Sequence, residues 1–310
     1  MNSIAISSDK GNDVTTPRKT SMASRLGLFA QPTILIGSAL LVLIVLLGIG
    51  ASLFASADPA AINPMVRNKP PGATITLVEP VNGLDSYTAV LGTDSLGRDI
   101  FSRIAHGTRA SLTVGVAAAV ISTCIGLFIG LLAGYVRWLD GIVMRVMDGL
   151  MAIPSVLFAI ALVSMLRAGV ASVVLAIVIP EIPRVVRLVR SYVLSLREEP
   201  YVEAAITVGT PTPLLLVRHM LPNLVPPLIV QSTFICASAI LIEAYLSFLG
   251  IGIPPEIPTW GNVMAEGRNA FRLHPAGIFA PGIVLAITIL SLNIVGDALR
   301  DSLDPKMAKR

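Results

Sequence analysis

Six stretches of this chain, 33–54, 111–136, 148–166, 169–188, 224–249 and 277–299, are predominantly apolar. Each is close to the ~20 residues that an α-helix needs to cross ~30 Å of hydrocarbon. Backbone N–H and C=O groups find no water there, so a chain with such runs has few solutions besides a bundle of spanning helices. Composition agrees: hydrophobic residues make up 54% of the 310 and charged residues only 14%, against roughly 25% in soluble globular chains. The expected fold class is an all-α polytopic membrane protein with six transmembrane helices and both termini on one side.

The net charge of +4 fits an excess of Lys and Arg on the cytoplasmic side. Fifteen of the 23 basic residues fall there if residues 1–32 are cytoplasmic, while Arg67, Lys69, Arg98, Arg103, Arg109, Arg167, Arg268 and Arg272 fall outside. No aromatic and basic residues interleave on a polar face, which argues against nucleic acid as a partner. Membrane lipid is the expected surroundings. Cys124 and Cys236 lie within apolar runs and read as small core residues, with no metal site implied.

The polar stretch 1–32 reads as a disordered cytoplasmic tail. The run 33–54 ends near Ala55-Ser56-Ala57, which mimics a signal-peptidase site. It exceeds the roughly 7–15 residues of a signal core, so an uncleaved first span is expected. Residues 55–110 form an external loop whose first half, with Pro59, Pro64, Pro70, Pro71 and Pro80, is expected to be irregular and extended. Its second half carries Asp94, Arg98, Asp99, Arg103 and Arg109 beside Ile100, Phe101, Ile104 and Ala105. That pattern predicts a charge-paired turn holding an interfacial helix at the surface. A five-helix core follows over 111–299, and 300–310 is a cytoplasmic C-terminus.

Gly126, Gly130 and Gly134 recur every four residues, which clears one helix face for a close neighbour in the same chain or in a partner. Arg184, Arg187 and Arg190 repeat every third residue. A cytoplasmic extension touching lipid phosphates accounts for them better than a voltage sensor, which needs a longer series. Glu243 is the sharpest intramembrane charge. Pairing with a backbone group or an arginine of the external loop is weighed ahead of contact with passing substrate. Asn293, Asp297, Arg300, Asp301 and Asp304 close the last run and are expected to form a polar network.

Between the fourth and fifth runs lies EEPYVEAAITVGTPTPLLLVRHMLPN, residues 198–223. Pro200 suits a helix start, Glu203 the positive end of the helix dipole, and Gly209 with Pro211 and Pro213 a stop. A second short helix is predicted from near Pro213 to Pro222. Ala204 and Ala205 permit close seating against another surface.

Glu203-Ala204-Ala205, then Gly209, then Leu221-Pro222, resembles the EAA loop of ABC-importer permeases. His219 stands where the general pattern has Ile, and RHMLPN is similar to the dipeptide and oligopeptide branch. LGTDSLGRDIFSRIAHGTRASL (91–112), EAYLSFLGIGIPPEIPTWGNVMAEG (243–267) and LNIVGDALRDSLDP (292–305) resemble the same permeases, specifically the C-type subunit of a two-permease pair. The resemblance implies a type I ABC importer permease in a bacterial cytoplasmic (inner) membrane. Its implied partners are a second homologous permease, two cytoplasmic ABC ATPase subunits and an extracytoplasmic substrate-binding protein. Glu203, Ala204, Ala205, Gly209, His219, Leu221 and Pro222 would then be ATPase-coupling residues.

None of the five lysines follows a glycine, so the chain has no G-K-[ST] phosphate loop, and ATP and Mg would be bound by the partner ATPases. His106, His219 and His274 are far apart, and no hydrolase or dinucleotide motif is present, so catalytic residues and cofactors of this chain's own are not expected. The implied cargo is a di- or oligopeptide, with nickel or glutathione as alternatives carried by similar permeases. A secondary transporter would call for inverted repeats or several buried charges, and no convincing repeat is visible.

Overall fold

The computed structural model describes residues 32–55, 57–81 and 84–303. The tail reading for 1–31 and that for Asp304 and the last basic residues lie outside the described residues. The longest regular α-helix among the described residues is α3, Ile100–Tyr135, reached after α1 (Pro32–Ile49) and a four-residue α2 (Ala51–Phe54). Asp99 caps α3, its carboxylate accepting the Ser102 N–H at 2.7 Å. The interfacial helix and the second span expected from the sequence are thus one element. No proline interrupts it, and Ile100, Ile104, Ala105 and Thr108 continue the buried stripe of the span below. At 1.5 Å per residue such a helix is about 54 Å long, so its first turns stand clear of a ~30 Å hydrocarbon layer.

α6, Val170–Arg197, packs on α3 more extensively than any other two elements pack. The glycine stripe is the reason. A Cβ added to Gly126, Gly130 or Gly134 would sit 2.5, 2.7 or 2.8 Å from the Cβ of Val185, Val189 or Val193, respectively. Of the two possibilities for this stripe, the described structure fills it from within the chain.

The expected third span, 148–166, is not one straight helix. α4 (Arg137–Met151) and α5 (Ser155–Met165) meet at 86°. Pro154 supplies no N–H and disfavours helical backbone at Ile153, so the run breaks although it stays apolar. α4 is pinned to α6 by ions. Arg190 Nη2 donates to Asp140 Oδ2 at 2.7 Å, and Arg187 pairs with Asp148. Arg184 pairs with Glu181 on its own helix. The arginine series therefore meets carboxylates of this chain.

After α7 (Pro200–Thr207) and α8 (Thr212–Leu215), α9 (Leu221–Phe248) packs on α3 and on α11 (Ala276–Leu303), with α10 (Trp260–Gly267) seated among them. α1 lies against α11, where Gly37 faces Ile294. Among the described residues, four helical runs are long and apolar enough to cross a membrane: α1, α3, 212–248 and α11; the bent α4–α5 pair, counted as one span, makes a fifth. α6 falls short by composition because Glu181, near its middle, is followed by Arg184, Arg187, Arg190 and Arg197. Among the described residues, the polar network expected on the last span is not made. Asp297, Arg300 and Asp301 are exposed and make no ion pair among the described residues.

The first half of the external loop is more ordered than its prolines suggested. β1 (Ala73–Val81) and β2 (Leu84–Ala89) pair antiparallel, with Ala73 opposite Ala89 and Ile75 opposite Tyr87. Ile75, Tyr87 and Ala89 form a small buried cluster. Burial, with Asp99 and Asp94 nearby, pushes the Tyr87 hydroxyl up to about 12.

Gly130→Ala should destabilise the protein by about 1–3 kcal/mol through overpacking, read as a lower unfolding midpoint in detergent. Adding Val189→Ala should restore part of the loss, because it removes the atoms that the new methyl meets.

Candidate functional site

α7 owes both of its ends to residues legible in the sequence. Pro200 occupies the first turn, where its missing N–H costs nothing, and Glu203 lies beside the positive end of the helix. The C-terminus closes by a paired arrangement of main-chain bonds. Thr210 N–H donates to Ala205 O at 3.0 Å, and Gly209 N–H donates to Ile206 O at 2.9 Å. Gly209 has φ +85°, a left-handed conformation that glycine alone adopts cheaply. No atom lies near its would-be Cβ, so the glycine is required by the backbone rather than by crowding.

The second short helix does not stop at Pro222. α8 passes through a π turn, Leu216–Met220, directly into α9. In that turn Leu221 N–H bonds to Leu216 O, five residues back. This extra residue in the ring lets the helix carry Pro222 in its first turn.

The segment is held to the bundle by Val202, Leu215, Met220 and Leu224, all fully buried and part of the main core with Val185, Val189 and Val193. Asn223 ties its two halves together, donating to Tyr201 Oη at 3.1 Å and to His219 O at 2.8 Å. Desolvation, then the charge on Glu199, holds the Tyr201 phenol above its ordinary range. Just before the segment, the Arg197 guanidinium lies 5.4 Å from the centre of the Tyr135 ring and donates to Tyr135 O at 3.2 Å.

Of the seven candidate residues, Glu203, Ala204, Gly209 and Pro222 face outward, while Ala205, His219 and Leu221 are half-buried against the bundle. The same outer surface displays Tyr201, Ile206, Leu214, Val217 and Val208, the last 86% exposed. Sequence reasoning missed these five. Their signal was an apolar content too high for a segment with only one face to bury. An exposed apolar patch on a firmly anchored element marks an interaction site.

Glu243 belongs to the other end of α9, about 30 Å from Asn223 along the helix. It is fully buried, and hydroxyls alone meet it: Ser111 Oγ donates to Oε2 at 3.1 Å and Ser247 Oγ to Oε1 at 2.8 Å. The expected pairing with an arginine or a backbone group is not made. The external arginines are engaged elsewhere, Arg98 with Asp94 (Nε to Oδ2, 2.8 Å) and Glu266, and Arg103 with Glu266 (Nη2 to Oε1, 3.3 Å). This is the charge-paired turn predicted before the second span, with one member, Glu266 of α10, that sequence reasoning did not include. Burial raises the Glu266 carboxyl even though Arg103 and Arg98 oppose the shift. Arg109 donates from Nη2 to Ile49 O at 2.7 Å, capping the last carbonyls of α1.

A bundle of membrane-length helices, with a capped apolar segment projecting between α6 and α9, is the geometry to be matched. Residues 122–309 match the family described as binding-protein-dependent transport system inner membrane components. The chain belongs to this family.

Relatives extend the match over most of the permease. A probable peptide ABC transporter permease protein, y4tQ, of Sinorhizobium fredii is 48% identical, covering 90% of this chain and 91% of that one. The dipeptide transport system permease protein DppC of Alkalihalophilus pseudofirmus is 38% identical over 88% and 86%. The glutathione transport system permease protein GsiD of Pectobacterium atrosepticum is 43% identical over 70% and 72%. Among solved structures, an inward-facing form of the MetNI methionine ABC transporter aligns with TM-score 0.54 at 17% identity, covering 65% of this chain and 96% of that chain. That likeness establishes the shared permease fold.

Gly209→Ala should cost about 1–2 kcal/mol, the penalty for a side chain in the left-handed region, and Gly209→Asn should cost less. Thermal unfolding of the purified permease measures both. Glu243→Ala should cost about 1–3 kcal/mol by leaving two buried hydroxyls without their acceptor, in the same assay.

Proposed function

We propose that the chain is the C-type permease subunit of an ATP-binding-cassette importer for di- and oligopeptides. The observation that carries this reading is the segment 200–221: closed at Gly209, rooted by the buried Val202, Leu215 and Met220 and exposing Val208, Ile206 and Val217. Such a surface fits a groove in an ATP-hydrolysing partner. Seating Glu203, Ala204 and their neighbours there links nucleotide state to the tilt of α6 and α9. The link requires that the partner bind one arrangement of the helices more tightly, since equal affinity for both shifts no equilibrium.

In this reading α6 also crosses the membrane, as the fourth of six spans in chain order, and both termini and residues 198–223 are cytoplasmic in a bacterial inner membrane. A second permease completes the pathway, two ATPase subunits bind ATP and Mg, and an external binding protein delivers cargo. The chain itself performs no catalysis. Peptide cargo is supported by the names of the relatives, y4tQ and DppC among them. GsiD supports a second reading, glutathione, itself a short peptide.

The test is co-purification and transport. Wild-type permease should bring down ATPase subunits and a homologous permease, and reconstituted vesicles should take up peptide only with ATP. Val208→Asp should lower uptake at least about tenfold, as loss of a central buried apolar contact does at other interfaces, with the permease pair still assembled. Uptake unchanged by this substitution, or Ala204→Cys cross-linking to nothing on the ATPase, defeats the proposal.

A further inference from the structure

With α6 read as a span that enters the ~30 Å hydrocarbon layer at Val170, Pro180 lies about 15 Å in, at 1.5 Å per residue, close to the midplane. At that depth the 86° turn between α4 and α5 leaves a cleft of 330 Å³, whose walls include Met151, Ile153, Pro154, Ser155, Pro180 and Arg184. The arginine is held in an unusual way. Glu181 is 1% exposed, and both of its oxygens accept from Arg184 Nη1, at 2.9 and 3.1 Å. The Arg184 side chain itself is 47% exposed, and its Nε and Nη2 have no hydrogen-bond partner among the described residues.

A charge pair that served only packing would turn its donors inward. Here the acid is buried and the guanidinium faces the cleft. Ionisable groups at membrane depth normally face a watery cavity or a partner. An arginine fork with two N–H groups on offer matches the two oxygens of a carboxylate.

We infer that this cleft is a transit subsite for the terminal carboxylate of a short peptide, which Arg184 receives through Nε and Nη2 while Glu181 positions the guanidinium. The inference rests on the peptide-import reading above. Every peptide with a free C-terminus carries this group whatever its side chains, so the contact suits cargo of mixed sequence. The flexible thioether of Met151 beside Ile153 gives the wall room to adapt to different side chains. Because Glu181 already neutralises Arg184, the hold on cargo is weak enough to release it, as a pathway site requires.

The complete importer, with its ATPases and binding protein, is reconstituted in vesicles and its uptake of trialanine is compared with that of trialanine amide. The binding protein is the same throughout, so its own preference cancels when variants are compared. Arg184→Gln should reduce acid uptake about tenfold more than amide uptake, the loss expected for a hydrogen bond to a charged group. Arg184→Lys, which keeps the charge without the fork, should fall between. Equal losses for the two cargoes, or none, overturn the inference. Losses that track the anionic lipid content of the vesicles overturn it too, by assigning the cleft to a phospholipid phosphate. Should Arg184→Gln fail to assemble, Ser155→Cys in a Cys124→Ser background decides. During turnover it should react with a tripeptide bearing a methanethiosulfonate on its C-terminal residue faster than with one bearing it on the first. Equal or absent labelling overturns the subsite. A wild-type importer that moves no peptide at all refutes the function proposed above, an outcome visible before any variant is made.

Discussion

Val185, Val189 and Val193 of α6 rest on Gly126, Gly130 and Gly134 of α3, and the backbones come as near as that contact allows. Between helices in lipid there is no hydrophobic driving force, so dispersion across a closely fitted seam must do most of the holding. The end of the bundle that carries the segment 198–223 is referenced to this seam. α4 is pinned to α6 through Asp140 and Asp148. Arg197 fastens the last turn of α6 to the end of α3, and Val202 sinks into the same core immediately afterwards. The projecting segment is therefore rigid by descent: its position follows from two helices that cannot slide past one another.

The two ends of the molecule treat polarity in opposite ways. At the end of the bundle that holds α10, polar groups are buried and paired within the chain: Glu243 with two serines, and Arg98, Arg103, Asp94 and Glu266 with one another. At the segment 198–223 the mismatch is reversed, because apolar side chains such as Val208 and Val217 stand exposed. Paired polar groups close a surface, whereas uncovered apolar ones leave it incomplete until another chain arrives.

Local chemistry was legible in the sequence and long-range partnership was not. Pro200 and Gly209 marked the ends of α7 because a missing N–H and a left-handed φ are properties of single residues. The apolar runs located the long helices for a similar reason. The π turn at 216–220 escaped notice because it is a change of backbone register with no residue type of its own. The break at Pro154 was hidden within a run apolar on both sides. Glycine spacing revealed that something approaches α3 closely, but the identity of the neighbour depends on topology. Glu243 stood out as an anomaly, yet Ser111 comes from a helix more than a hundred residues away.

From Thr212 to Phe248 the main chain is helical throughout, a shaft of about 55 Å at 1.5 Å per residue. One tip carries Leu214 and Val217 of the apolar patch and the other carries Glu243. Swivelling such a shaft by ten degrees about its middle swings either tip by about 5 Å, from the same length. A hydrogen bond to Ser111 cannot stretch so far, so α3 must travel with the shaft or let go of it. Since α3 is locked to α6, a displacement at one tip of this shaft reaches the other only as the lean of three helices together.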